Sequence, residues 1–195
     1  GDQSEWIHRS AMIFSYDGGN TWKDPVMVTE EKNMYYWDQR PQVLADGISI
    51  IDFFWTLNGV TNQYKNIHAR QSEDGGKAWS VLWDTGVYGQ PGQPVVLEDG
   101  RLMTIDIDRS VKPVITARIS KDIRDGSDAS LIVYEANSGK QDSKDISMND
   151  AWAEMVQFSV GHPSLLCLGN NEVLAYYYAG NAADTTDIAF VRILV

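Results

Sequence analysis

Cysteine is almost absent: Cys167 is the only one in 195 residues. That excludes an internal disulfide and any cysteine-rich metal site. Its setting, Ser164-Leu165-Leu166-Cys167-Leu168, is that of a small buried hydrophobe, because free cysteine is among the most buried residue types. Basic charge is scarce as well. Lys and Arg number 16 against 27 Asp and Glu, giving a net charge of -11, and the basic residues form no cluster. Nucleic acid and anionic membrane surfaces both require a basic face, so neither is expected as a partner. No apolar run approaches the ~20 residues of a membrane span; the longest, 173–179, suits a buried strand. Residues 1–10 lack the apolar middle of a signal peptide. The three histidines, His8, His68 and His162, are scattered, so no metal site is argued and no cofactor is expected.

What the chain does contain is repetition, the feature that decides fold class when present. Arg40-Pro41-Gln42-Val43-Leu44-Ala45-Asp46-Gly47 aligns with Gln93-Pro94-Val95-Val96-Leu97-Glu98-Asp99-Gly100. Both align with His162-Pro163-Ser164-Leu165-Leu166-Cys167-Leu168-Gly169. Each copy reads as a strand opened by proline, a tight turn, and a second strand rich in β-branched and aromatic residues. Proline is tolerated at the first residue of a strand, where no ladder donor is needed. A third strand follows each pair, in two cases ending Ala69-Arg70-Gln71-Ser72 and Ala117-Arg118-Ile119-Ser120, and a fourth copy, Arg9-Ser10-Ala11-Met12-Ile13-Phe14-Ser15, opens the chain.

The strands then run into turns of one type. Ser15-Tyr16-Asp17-Gly18-Gly19-Asn20-Thr21-Trp22 fits the Asp-box pattern S-x-D-x-G-x-T-W at every fixed position. Ser72-Glu73-Asp74-Gly75-Gly76-Lys77-Ala78-Trp79 departs from it only at Ala78, and Ser120-Lys121-Asp122 before Asp125-Gly126 is a decayed third copy. In such a turn the Asp carboxylate accepts backbone N–H bonds, Gly supplies positive φ, and Trp covers the hairpin. Asp17, Gly19, Trp22, Asp74, Gly76 and Trp79 are therefore assigned structural roles.

Four-stranded units recurring every ~40–50 residues predict an all-β propeller. The expected units are 7–30 (an outer half blade), 38–86, 91–136 and 156–195 (three strands of a last blade), with polar 137–150 as a solvated loop. Three to four blades leave the ring incomplete. The expectation is that blades upstream or a second chain complete it.

The repeated Asp boxes and Pro-initiated strands resemble the sialidase (neuraminidase) superfamily of six-bladed, BNR-repeat propellers. The resemblance covers nearly the whole chain and is strongest at the boxes and the Pro-x-Val-Leu-x-Asp-Gly strands. It implies an exo-acting glycoside hydrolase, secreted or periplasmic, that works on terminal sugars of glycans through a tyrosine nucleophile, an acid/base Asp and arginines that grip a carboxylate. In that family the ligand lies on the axial face, where first strands begin and second strands end. The residues expected there are Trp37, Asp38 and Arg40 with Trp55; Gln90 and Gln93 with Asp108 and Arg109; and His162 with Tyr177 and Tyr178. Asp38, Asp108 and Tyr178 are the catalytic candidates, and Arg40, Arg109, Trp37, Trp55, Gln93 and His162 the substrate-binding ones. No Glu is clearly placed to serve the tyrosine; Glu135 and Glu154 are candidates in segments whose orientation the sequence does not give. Arg70 and Arg118, at one repeat position, are read as packing residues. The alternative to an enzyme is a non-catalytic propeller that binds carbohydrate or protein through the same face.

Overall fold

A computed structural model describes residues 7–137 and 148–195. Its strands fall into four antiparallel sheets that follow one another along the chain. The first pairs β1 (Ser10–Phe14) with β2 (Lys23–Thr29). The second runs in the order β3 (Met34–Val43), β4 (Ile50–Asn58), β6 (Asn66–Ser72), β7 (Trp83–Tyr88), with β5 (Gln63–Tyr64) beside β4. In the third, β8 (Gln90–Pro91) and β9 (Val95–Val96) share the inner edge of β10 (Leu102–Asp108), which continues to β11 (Val114–Ser120) and β12 (Ala129–Glu135). A helix, α1 (Met148–Met155), precedes the last sheet of β13 (Val160–Gly169), β14 (Glu172–Ala182) and β15 (Thr185–Leu194). These are blades of a β-propeller whose ring the chain does not close. The segment read as a loop lies in part outside the described residues, and its end forms the first turn of α1.

Strand periodicity explains the stacking. β4 is buried on both faces because its alternating side chains enter two different interfaces. Phe54 joins Val28 and Tyr36 against the first sheet, whereas Ile51 and Phe53 join Ile67, Ala69 and Leu102 against the third. The third and last sheets meet over Met103, Ile105, Ile107, Ile115, Val160, Leu165, Val173 and Tyr177. β15 has apolar residues without such cover: Ile188, Phe190 and Leu194 are 77%, 67% and 81% exposed.

The turns behave as local staples. Asp17 Oδ1 accepts the Thr21 N–H at 2.9 Å, and its Oδ2 accepts the Thr21 hydroxyl at 2.6 Å. Ser15 Oγ takes the Gly19 N–H at 2.7 Å, and the Trp22 indole donates to the Gly19 carbonyl at 3.1 Å. The second turn repeats this through Asp74, Ser72, Gly76 and Trp79. With Ala78 in place of threonine, it has no hydroxyl to give the second carboxylate oxygen. The decayed copy is built differently: Asp122 caps a short 3-10 turn by accepting the Arg124 N–H, and Asp128 accepts the Lys121 N–H. Arg70 ties sheets together through backbone, donating to the carbonyls of Ser80 and of Val28 in the first sheet. Arg118 pairs with Asp106 at 2.9 Å within its own sheet.

Candidate functional site

Three innermost strands share one backbone device. Between Trp37, opposite Trp55, and Arg40, opposite Phe53, β3 carries an extra residue. β13 does the same between Gly161, opposite Tyr178, and Ser164, opposite Tyr176. Between Pro91, opposite Asp106, and Val95, opposite Met103, the third sheet also gains one residue. A bulge bends a strand and re-aims its side chains. Here the bulges stand side by side, and Asp38 and His162 occupy two of them with φ of +50° and +45°. Such angles are strained for any residue with a Cβ, less so for Asp and His than for bulky or branched types.

The bulges present Asp38 and His162 to a cavity of about 260 Å³, lined also by Trp37, Trp55, Gln90, Trp152, Met155 and Phe158. Its aromatic wall is held in place from behind. Trp55 stacks on Tyr64 with centroids 4.6 Å apart and planes 8° from parallel, and meets Trp37 edge-on at 6.0 Å. The Trp37 indole N–H donates to His8 Nδ1 at 3.0 Å. Partial burial holds the His8 ring below its ordinary pKa of 6.5, which favours the neutral ring, and the Trp37 bond fits the tautomer with its proton on Nε2. Trp37 thus spends its polar atom on the fold. α1 and the residues just after it close the far side, with Ala151 and Phe158 packed into the cluster of Tyr35, Trp55, Leu57 and Tyr64.

A polar chain crosses the cavity floor. Gln90 donates its amide to Asp38 and accepts the Arg109 Nη1–H at 2.7 Å. Arg109 is only 2% exposed. Its Nε donates to the Val160 carbonyl at 3.0 Å, and the Phe158 ring covers its face at 4.2 Å. Tyr178 is hydrogen-bonded to the same guanidinium. Arg40 stands 4.0 Å from Asp38 and donates to the Gln39 carbonyl at 3.3 Å. Burial holds His162 below its ordinary pKa, with Asp38 opposing and Arg109 and Arg40 reinforcing the shift, so its ring is neutral at pH 7. Burial raises the Tyr178 hydroxyl above 10, against Arg109, and keeps it protonated.

Trp37, Asp38, Trp55 and His162 therefore line one cavity, and Arg40, Arg109 and Tyr178 bond or pack directly behind them. Two other candidates do not line the cavity. Asp108, the last residue of β10, accepts the Ser110 N–H at 2.8 Å. Gln93 donates to the Pro41 carbonyl at 2.9 Å while its own carbonyl accepts the Leu165 N–H at 3.0 Å, spanning three inner strands. Trp152, Met155 and Phe158 were not anticipated. The apolar spacing Ala151, Trp152, Met155, Val156 carries a helical period that would have indicated them.

No protein-family model matches the sequence, and no curated protein matches it. Solved structures do match the fold. A protein of unknown function from Dyadobacter fermentans superposes with a TM-score of 0.69 at 20% identity, over 96% of this chain and 49% of that one. A Hadza microbial sialidase gives a TM-score of 0.63 at 14% identity, over 94% of this chain and 38% of that one. The fold is that of β-propeller glycoside hydrolases. An α-L-arabinanase from Penicillium chrysogenum, complexed with arabinobiose, shares it with a TM-score of 0.53 at 11% identity. The chain spans 55% of that enzyme's length. The cavity lies where the bulged inner strands of the second and last sheets meet Gln90 of the third.

Proposed function

We propose that this chain supplies the sugar-binding face of an exo-acting glycoside hydrolase. The observation that supports this is the convergence of an indole wall and a carboxylate on one cavity. Indole faces offer a large apolar surface to the C–H face of a sugar ring, and Asp38, Gln90 and His162 offer hydrogen bonds to its hydroxyls. The volume, about 260 Å³, falls below the roughly 300–1,000 Å³ of drug-sized sites. That suits one terminal ring better than an extended chain. Asp38 is the residue assigned to acid/base work. In the full proposal the exposed apolar residues of β15 are covered by further blades, and the protein meets its glycans outside the cytoplasm.

A second reading, a carbohydrate-binding propeller without turnover, is favoured by one observation: among the described residues, the charged group acting on Tyr178 is Arg109, not a carboxylate that could take its proton. Release of a chromophore from a panel of aryl exo-glycosides separates the two. Turnover that Asp38→Asn lowers about 10²-fold or more, with ligand binding retained, supports the enzyme. Binding that needs Trp55 but yields no product on any glycoside supports the second reading.

A further inference from the structure

The charges around Asp38 narrow the ligand, given the sugar-binding reading above. A ligand carboxylate is usually held by guanidinium forks whose donors are open to it. Among the described residues, the arginines at this cavity are already engaged. Arg109 points Nε at Val160 and Nη1 at Gln90, lies against Tyr178, and has its face covered by Phe158. Arg40 faces Asp38 at 4.0 Å and donates to the Gln39 carbonyl. Both cations lead to the same acceptor: Arg40 directly, and Arg109 through the Gln90 amide. Asp38 is held there by a positive-φ bulge rather than by a flexible loop. A second carboxylate entering the cavity would meet Asp38 as a like charge at short range, a neutral imidazole at His162, and three indoles.

We propose that the cavity admits uncharged terminal sugars and rejects acidic ones, because Asp38 already occupies, as a built-in carboxylate, the place between Arg40 and the Gln90–Arg109 relay. Asp38 is thus a specificity-determining residue: it accepts from the sugar's hydroxyls and repels its acids.

Tryptophan fluorescence titrations of the intact protein test this with methyl glycosides of neutral pentoses and hexoses, with N-acetylneuraminic acid, and with acetate. The wild type should bind at least one neutral glycoside saturably, with loss of the signal in Trp55→Ala, and should bind the acidic sugar at least tenfold more weakly. Asp38→Asn frees the cationic relay and should strengthen the acidic sugar or acetate at least tenfold while the neutral glycoside stays bound, since the Asn carbonyl oxygen still accepts from a hydroxyl. Acidic sugar bound by the wild type as tightly as any neutral one, or Asp38→Asn leaving the ratio unchanged, would overturn the proposal and leave the sugar-binding reading intact. No saturable binding of any sugar would overturn that reading itself. If Asp38→Asn does not fold, as judged by thermal melting, the wild-type ratio decides alone.

Discussion

Two buried carboxylates in neighbouring blades solve the same problem in different ways. Asp52 on β4 and Asp106 on β10 are 0% and 3% exposed, and burial raises both above the ordinary 3.8. Asp106 has a cation, Arg118, at 2.9 Å and rises to about 6. Asp52 has an amide: Gln39 donates to Oδ2 at 2.7 Å, the Arg40 charge acts only weakly, and the carboxyl rises to about 7. A full counter-charge restrains the shift more than a neutral donor does. The difference has a structural use. Gln39 is the second residue of the β3 bulge, so its bond to Asp52 holds the segment that presents Asp38, whereas the Arg118 pair lines the seam between the second and third sheets, beside Phe53, Ile67 and Val87.

The largest effect should come from cutting the charged pair. Arg118→Met leaves Asp106 buried without its cation, and denaturant melts at pH 7.5 should show a loss of about 3 kcal/mol. A loss equal to or smaller than that from Gln39→Ala would break the comparison. Next is pH dependence. A folded carboxyl near 7 binds a proton that the unfolded chain has already released above 3.8. Its contribution to stability is therefore full below 3.8 and is lost as pH rises to 7. Asp52→Asn removes that slope and should be more stable than wild type at pH 8 by on the order of 2 kcal/mol, with the gap closing toward pH 4. Asp106→Asn should flatten a narrower window, ending near 6. Gln39→Ala should cost about 1 kcal/mol through a lost buried hydrogen bond and should also weaken sugar binding in the titrations, because the Asp38 bulge loses its anchor. The smallest effect belongs to the turns: Ala78→Thr restores the second bond to Asp74 and should add about 0.5 kcal/mol in thermal melts.

The propeller was legible because its marks are local. A Pro-opened strand, a Gly turn and an Asp-anchored hairpin each state their geometry within eight residues, and Asp17 and Asp74 make the bonds that spacing implies. Trp37, Asp38, Trp55 and His162 were grouped by strand order together with the family resemblance, and they do line one cavity. What escaped was of another kind. The engagement of Arg109 by Gln90, Val160 and Phe158 joins residues up to 51 apart, and no repeat encodes it. Gln93 aligns with Arg40 and His162 in sequence, yet its amide serves a neighbouring strand because the one-residue bulges set which side chains face the cavity. The wall from α1 was hidden by the polar tract before it, where no strand period continues.

Gln93 has one more consequence. By bonding Pro41 on one side and the backbone of Leu165 on the other, it works as a clasp that ties together the inner strands of three sheets at the level of their bulges. Gly92 beside it admits no larger residue, since a Cβ there would fall 2.0 Å from the Pro163 oxygen. Neighbouring blades are thereby locked against sliding along the axis. Asp38 and His162 sit in the bulges of the two strands this clasp joins, so loosening it would shift both cavity residues together rather than break a single contact.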